Sequence, residues 1–115
     1  MAIVVLFRFE SCIRYIKWMQ ENCPTDTRAY LSVVERCLKK YADSPLYAQD
    51  IRFLRIWILY INSQDFQTAR QTFAFMQSHN IGVTLALFYL AETVVYEQNG
   101  EYEKTERIYQ EGITL

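Results

Sequence analysis

Apolar positions recur at helical spacing along almost the whole chain. Residues 4–21 carry Ile13, Ile16 and Met19, with Tyr15 and Trp18 beside them, which predicts a first amphipathic helix. Cys23-Pro24-Thr25-Asp26 ends it, because proline disfavours helical geometry in the residue before it. Thr25 or Asp26 can cap a second helix running to about Tyr41, whose Tyr30, Val33, Val34, Cys37, Leu38 and Tyr41 follow the i, i+3, i+4, i+7 rule. After the turn Asp43-Ser44-Pro45, a third helix is expected from Tyr47 to Asn62. It is apolar on nearly every side, with Ile51, Phe53, Leu54, Ile56, Trp57, Ile58, Leu59, Tyr60 and Ile61. Such a helix is either central or leaves one face for a partner. Asp65 caps a fourth helix from Phe66 to Ser78, and Asn80-Ile81-Gly82 stops it. A fifth is expected from Val83 to Gln98, closed by Asn99-Gly100, and a sixth from about Glu101, with acids in its first turn.

The helices are expected to pair, because an aromatic residue returns every 36 positions, at Tyr30, Phe66 and Tyr102. Val33, Ala69 and Thr105 follow in the same register, as do Cys37, Phe73 and Tyr109. A fixed period of this size marks stacked helix pairs, and tetratricopeptide units run about 34 residues. The fold expected is all-α, a right-handed tetratricopeptide-like stack of about three helix pairs (an α-solenoid), forming one domain over residues 1–115 with 1–10 as an atypical lead-in. Trp18, Tyr30, Phe66, Phe73, Gly82, Tyr102 and Tyr109 are the expected structural residues, and Trp18, Phe73 and Phe88 are placed in the core. Nine positions before the aromatic of the second helix, such units carry a small residue. Trp57 and Thr93 stand there, and Trp57 must widen the groove or sit in the core.

Composition supports a folded helical chain, with 51% hydrophobic and 22% charged residues and only three glycines and two prolines. Residues 1–64 carry a net +3 and residues 65–115 a net −4. Neither half is basic enough to point to nucleic acid. Three cysteines without a CxxC pair argue against a disulfide framework or a zinc site, and Cys37 falls on an apolar stripe. The apolar start, Met1 to Phe7, is too short to span a membrane and lacks signal-peptide features. It is expected to form the first turns of a packed helix.

Catalysis finds no foothold. His79 is the single histidine and sits at a helix end without a nucleophile near it in sequence. Glu101, Glu103 and Glu106 form an acidic face, and no glycine-rich phosphate loop or kinase catalytic signature occurs. No cofactor and no metal are expected for this domain.

Five blocks carry a family resemblance. They are Arg14-Tyr15-Ile16-Lys17-Trp18, Glu35-Arg36-Cys37-Leu38, Asp50 to Trp57, Asn80-Ile81-Gly82-Val83 through Ala86-Leu87-Phe88-Tyr89, and Ile108 to Ile113. In this order, over about residues 11–113, the chain resembles the N-terminal domain shared by the Bub checkpoint kinases and their Mad relatives, proteins of the mitotic spindle-assembly checkpoint. The resemblance implies a domain that docks a short helical motif of the outer-kinetochore scaffold protein on its convex side, near Trp57. Trp57, Ile58, Tyr60 and Ile61 are the candidate partner-binding residues. It also implies contacts with other Bub-family proteins through regions outside this chain, a nuclear and kinetochore location, and in some members a C-terminal serine/threonine kinase domain. Residues 1–10 depart from the family's lead-in, and no Lys-Glu-Asn motif precedes the first helix. An alternative from another class is a half-tetratricopeptide scaffold of RNA processing, which Tyr15 to Trp18 also resembles.

Overall fold

A computed structural model describes residues 2–22 and 25–114, with side chains from Phe9 onward. Six helices and no strand occur among the described residues: α1 (Ala2–Asn22), α2 (Thr27–Tyr41), α3 (Ile51–Asn62), α4 (Phe66–Ser78), α5 (Ala86–Gln98) and α6 (Tyr102–Ile113). They group into two compact units, Met1–Tyr41 and Ala42–Leu115. Cys23 and Pro24, on which the first expected break falls, and the packing of the apolar start lie outside the described residues.

The first unit is one helical hairpin. Phe9, Ile16 and Met19 of α1 are buried, as are Val34, Cys37, Leu38 and Tyr41 of α2. Phe9 meets Tyr41 edge to face at 5.3 Å. The Ala29 N–H donates to Asp26 Oδ1 at 3.2 Å, so Asp26 caps α2 as expected. Trp18, placed in the core from sequence, is 52% exposed and stacks on Tyr15 instead. The reason is angular: Trp18 lies two residues from the buried Ile16, about 200° around the helix, so it faces away from the stripe. Cys37 is buried beside Cys12, and burial pushes its thiol up to about 12.

The second unit holds the remaining four helices. α3 begins four residues later than expected, because Ser44 to Asp50 form successive turns (Tyr47 N–H to Ser44 O, Asp50 N–H to Tyr47 O). Asp50 then caps α3, accepting from the Arg52 N–H at 2.8 Å. The Arg52 guanidinium closes on the same carboxyl at 2.8 Å and holds Asp50 below the usual carboxylate range. α4 matches its expected span, and Asp65 caps it through the Thr68 N–H. α5 starts at Ala86, after a turn in which the Leu85 N–H donates to Gly82 O.

α4 and α5 end in the same way. The Ile81 N–H donates to Met76 O, with Asn80 at φ 57° between them. The Glu101 N–H donates to Tyr96 O, with Gly100 at φ 79°. These are left-handed helix closures. Asn80, not Gly82, therefore closes α4. Gly82 supplies a second left-handed residue, at φ 71°, and its N–H reaches Ala48 O at 2.7 Å. A Cβ there would stand 2.9 Å from Leu54 Cδ1. Gly82→Ala should cost about 2 kcal/mol, from left-handed strain plus displacement of Leu54, read as a fall in the urea midpoint at constant slope.

The repeat register differs by one residue from the aromatic spacing. Buried Leu38, Phe73 and Ile108 are 35 residues apart, as are Phe53 and Phe88, and Ile61 and Tyr96. Phe66 and Tyr102 are the first residues of α4 and α6, whereas Tyr30 sits a turn inside α2. The three rings therefore do not occupy one equivalent helical position. Two of the residues expected to be structural lie at the surface. Tyr102 is 70% exposed, because a side chain on the first helical residue points back off the helix end, and Tyr109 is half exposed while its neighbour Ile108 is buried. Tyr30 and Phe66 are half-buried, the first accepting from Gln20 Nε2, the second edge-on to Tyr96 at 5.4 Å. Phe73 and Phe88 are buried against each other at 5.7 Å, as expected.

Candidate functional site: an aromatic row on α3 and α4

α3 turns Phe53, Leu54, Ile56, Trp57 and Ile61 inward and leaves Ile58, Leu59 and Tyr60 half-exposed. The structure separates the four candidate residues. Trp57 and Tyr60 stand together, their rings 6.5 Å apart and nearly perpendicular. Ile61 is buried, lining a cavity of about 160 Å3 shared with Phe66 and Ala69 of α4 and Val95 of α5. Ile58 is half-exposed and joins no ring contact of the described residues.

The row continues onto α4. Trp57 lies 5.7 Å from Phe75, and Phe75 stacks on His79 at 4.0 Å. Four rings thus run Tyr60, Trp57, Phe75, His79 across two helices. Trp57 is only 5% exposed, whereas Phe75 is 38% exposed. His79 is the C-cap of α4; its Nε2 lies 3.5 Å from Asp43 Oδ1 and its Nδ1 is near Phe75 O and Ser78 Oγ. The Trp57 indole N–H is buried and has no acceptor among the described residues. Buried indoles ordinarily find one. The row can offer a partner a donor at its floor and apolar ring edges at its rim.

Sequence reasoning missed Phe75 and His79, which reach Trp57 only through tertiary packing. It also missed Glu92. This carboxyl sits 6% exposed on α5, and burial, with the Glu111 charge adding to it, raises it to about 7 while Lys104 pulls it down. Among the described residues no group of three or more His, Cys, Asp or Glu side chains converges to hold a metal ion. No described helix is long and apolar enough to cross a membrane.

Residues 8–113 match the model of the Mad3/BUB1 homology region 1. The chain belongs to that family. The family domain is a tetratricopeptide-like interaction domain and not a kinase domain. The mitotic spindle checkpoint component mad3 of Schizosaccharomyces pombe is 36% identical over 103 residues, which cover 87% of this chain and 33% of that protein. A chain of the crystal structure of a mitotic checkpoint complex superposes with a TM-score of 0.83 at 34% identity, covering 91% of this chain and 49% of that one. The crystal structure of the conserved N-terminal domain of the mitotic checkpoint component BUB1 gives 0.83 at 28% identity, covering 90% and 55%. These likenesses establish the all-helical tetratricopeptide-like class. The chain spans about a third of the mad3 relative's length. The RNA-processing alternative finds no support in this membership.

Proposed function

We propose that this chain is the protein-interaction module of a mitotic spindle-assembly checkpoint protein. It holds a short helical motif of the outer-kinetochore scaffold and so localises the checkpoint protein at kinetochores, within the nucleus. Contacts with other Bub-family proteins, and any kinase activity, belong to regions outside this chain. The observation that carries the reading is the Trp57 indole, a buried N–H without an acceptor flanked by the half-exposed Tyr60 and the exposed Phe75. An amphipathic helix docks by laying apolar residues at i, i+3 and i+4 against such edges, and aromatic anchors dominate the energetics of small interfaces. Its burial makes Trp57 the floor of the site; Tyr60, Phe75 and Ile58 form what a visitor touches. The family relationship of residues 8–113 supports the same partner class.

Titration calorimetry with the scaffold's helical peptide tests this reading. Tyr60→Ala and Phe75→Ala, each checked for native helicity, are expected to weaken binding at least tenfold, or about 1.4 kcal/mol. If both folded variants bind the peptide as tightly as the parent, the aromatic row is not the docking site.

A further inference from the structure

A second site lies on a different side of α4, facing α5 and α6. Arg70, Glu92, Tyr96, Lys104, Ile108 and Glu111 line a cleft of about 410 Å3 there, far more than one water's share of about 30 Å3. Glu92 stands 35 residues after Trp57, at the same helical position one repeat later. In the third pair, then, a carboxylate occupies the place of the indole. It is more than nine-tenths buried, and no hydrogen bond or ion pair of the described residues reaches it.

The cleft's two acids and two bases balance, so the unpaired acids, and not the net charge, set what it can hold. Glu111 of α6 opens on the same cleft and adds a second negative group. Two cations line the cleft without making an ion pair to either acid: Arg70 of α4, and Lys104 of α6, whose Nζ lies 5.0 Å from the centre of the Tyr96 ring. A buried carboxylate that faces a like charge and lacks a contact partner is stabilised by a cation placed between the two. No third metal-ligating side chain joins them among the described residues. A planar guanidinium, by contrast, can bridge two carboxylates with paired N–H donors. We propose that the α4–α5–α6 cleft is a second partner-binding site that receives an arginine side chain of a protein partner, clamped between Glu92 and Glu111.

Binding of this kind expels a proton. Free Glu92 holds a proton up to about pH 7, and the guanidinium pairs with the ionised form. Arg70, Lys104 and Tyr96 line the same space and Tyr89 feels both acids; burial holds the two phenols above their usual range, so they keep their protons between pH 6 and 8. Affinity for the cation therefore rises with pH, by about tenfold from pH 6 to pH 8 for a group titrating at the middle of that range. The experiment follows backbone amide NMR signals of the 115-residue chain during titration with N-acetyl-arginine amide. N-acetyl-citrulline amide, a neutral isostere, and inorganic phosphate serve as controls. Arginine amide is expected to perturb the amides around Glu92, Tyr96, Ile108 and Glu111, about tenfold more tightly at pH 8 than at pH 6, and citrulline amide is not. Glu92→Gln is expected to abolish the pH dependence and weaken binding. Glu111→Gln, on an exposed turn of α6, gives a second folded variant; it should weaken binding and shift the pH dependence to lower pH. Equal perturbation by citrulline amide, preferential binding of phosphate, perturbation elsewhere, or no response at any pH overturns the proposal.

Discussion

Trp57→Ala is expected to destabilise the α3–α6 unit by about 3–5 kcal/mol, the range for removing a large buried aromatic. The indole is enclosed by Phe53 at 6.1 Å, Tyr60 and Phe75. Removing it deprives three rings of a neighbour and leaves a hole that helices on either side cannot readily fill. One term opposes this loss. The buried N–H without an acceptor costs about 1–3 kcal/mol as it stands, and the alanine variant is relieved of it. Trp57→Phe separates the two effects. It keeps an aromatic ring in the row and removes the N–H, so its loss should stay below about 1.5 kcal/mol. Urea unfolding followed by circular dichroism measures both. A phenylalanine variant as unstable as the alanine variant would mean that the N–H is satisfied in solution. The same contrast bears on docking: if a partner accepts from the indole, phenylalanine weakens binding while leaving the fold nearly intact.

Stability should fall as pH rises from 5 to 8, and Glu92 is the cause. Its carboxyl is raised from an ordinary 4.5 to about 7, first by burial and then by Glu111. A group raised in the folded state prefers to keep its proton there. Its favourable contribution is complete below the unfolded value and is lost as pH climbs through about 7. Allowing for solvent screening around the open cleft, the loss is about 2 kcal/mol. Asp50 and Asp65 are shifted the other way, below 3.8. They matter only in acid, where their contribution disappears as pH falls through their folded values, so the two windows do not overlap. Glu92→Gln should flatten the decline between pH 5 and 8 and be more stable than the parent at pH 8. A parent whose urea midpoint is level across that interval would contradict the burial of an ionisable carboxyl at this position.

Much of the helical framework was legible because 3.6-residue periodicity is a local property. The caps at Asp26 and Asp65 and the left-handed closures are local too, and Asp26, Asp65, Asn80 and Gly100 stand where side-chain chemistry and backbone sterics require. Errors arose where the signal was one residue wide. The expected start of α3 at Tyr47 ignored that a buried tyrosine can belong to a turn. Residue type alone puts Trp18 inside, whereas its angle from the buried Ile16 puts it outside. Of the candidate site, Trp57 stood out because its bulk breaks the pattern of close-packed helix pairs. Phe75 and His79 could not be joined to it without knowing which face of α4 meets α3. The Glu92–Glu111 pair is split between two helices, so no short motif marks it. One signal was available: Phe88, Glu92 and Tyr96 fall at i, i+4 and i+8, which puts an acid in the middle of an inward stripe.

The chain's two tryptophans are distributed in a useful way. Trp18 faces water in the first unit, and Trp57 is enclosed in the second. Each unit therefore carries its own fluorophore, one already red-shifted by solvent and one shielded from it. The intrinsic emission spectrum gives the second unit an optical label that needs no dye.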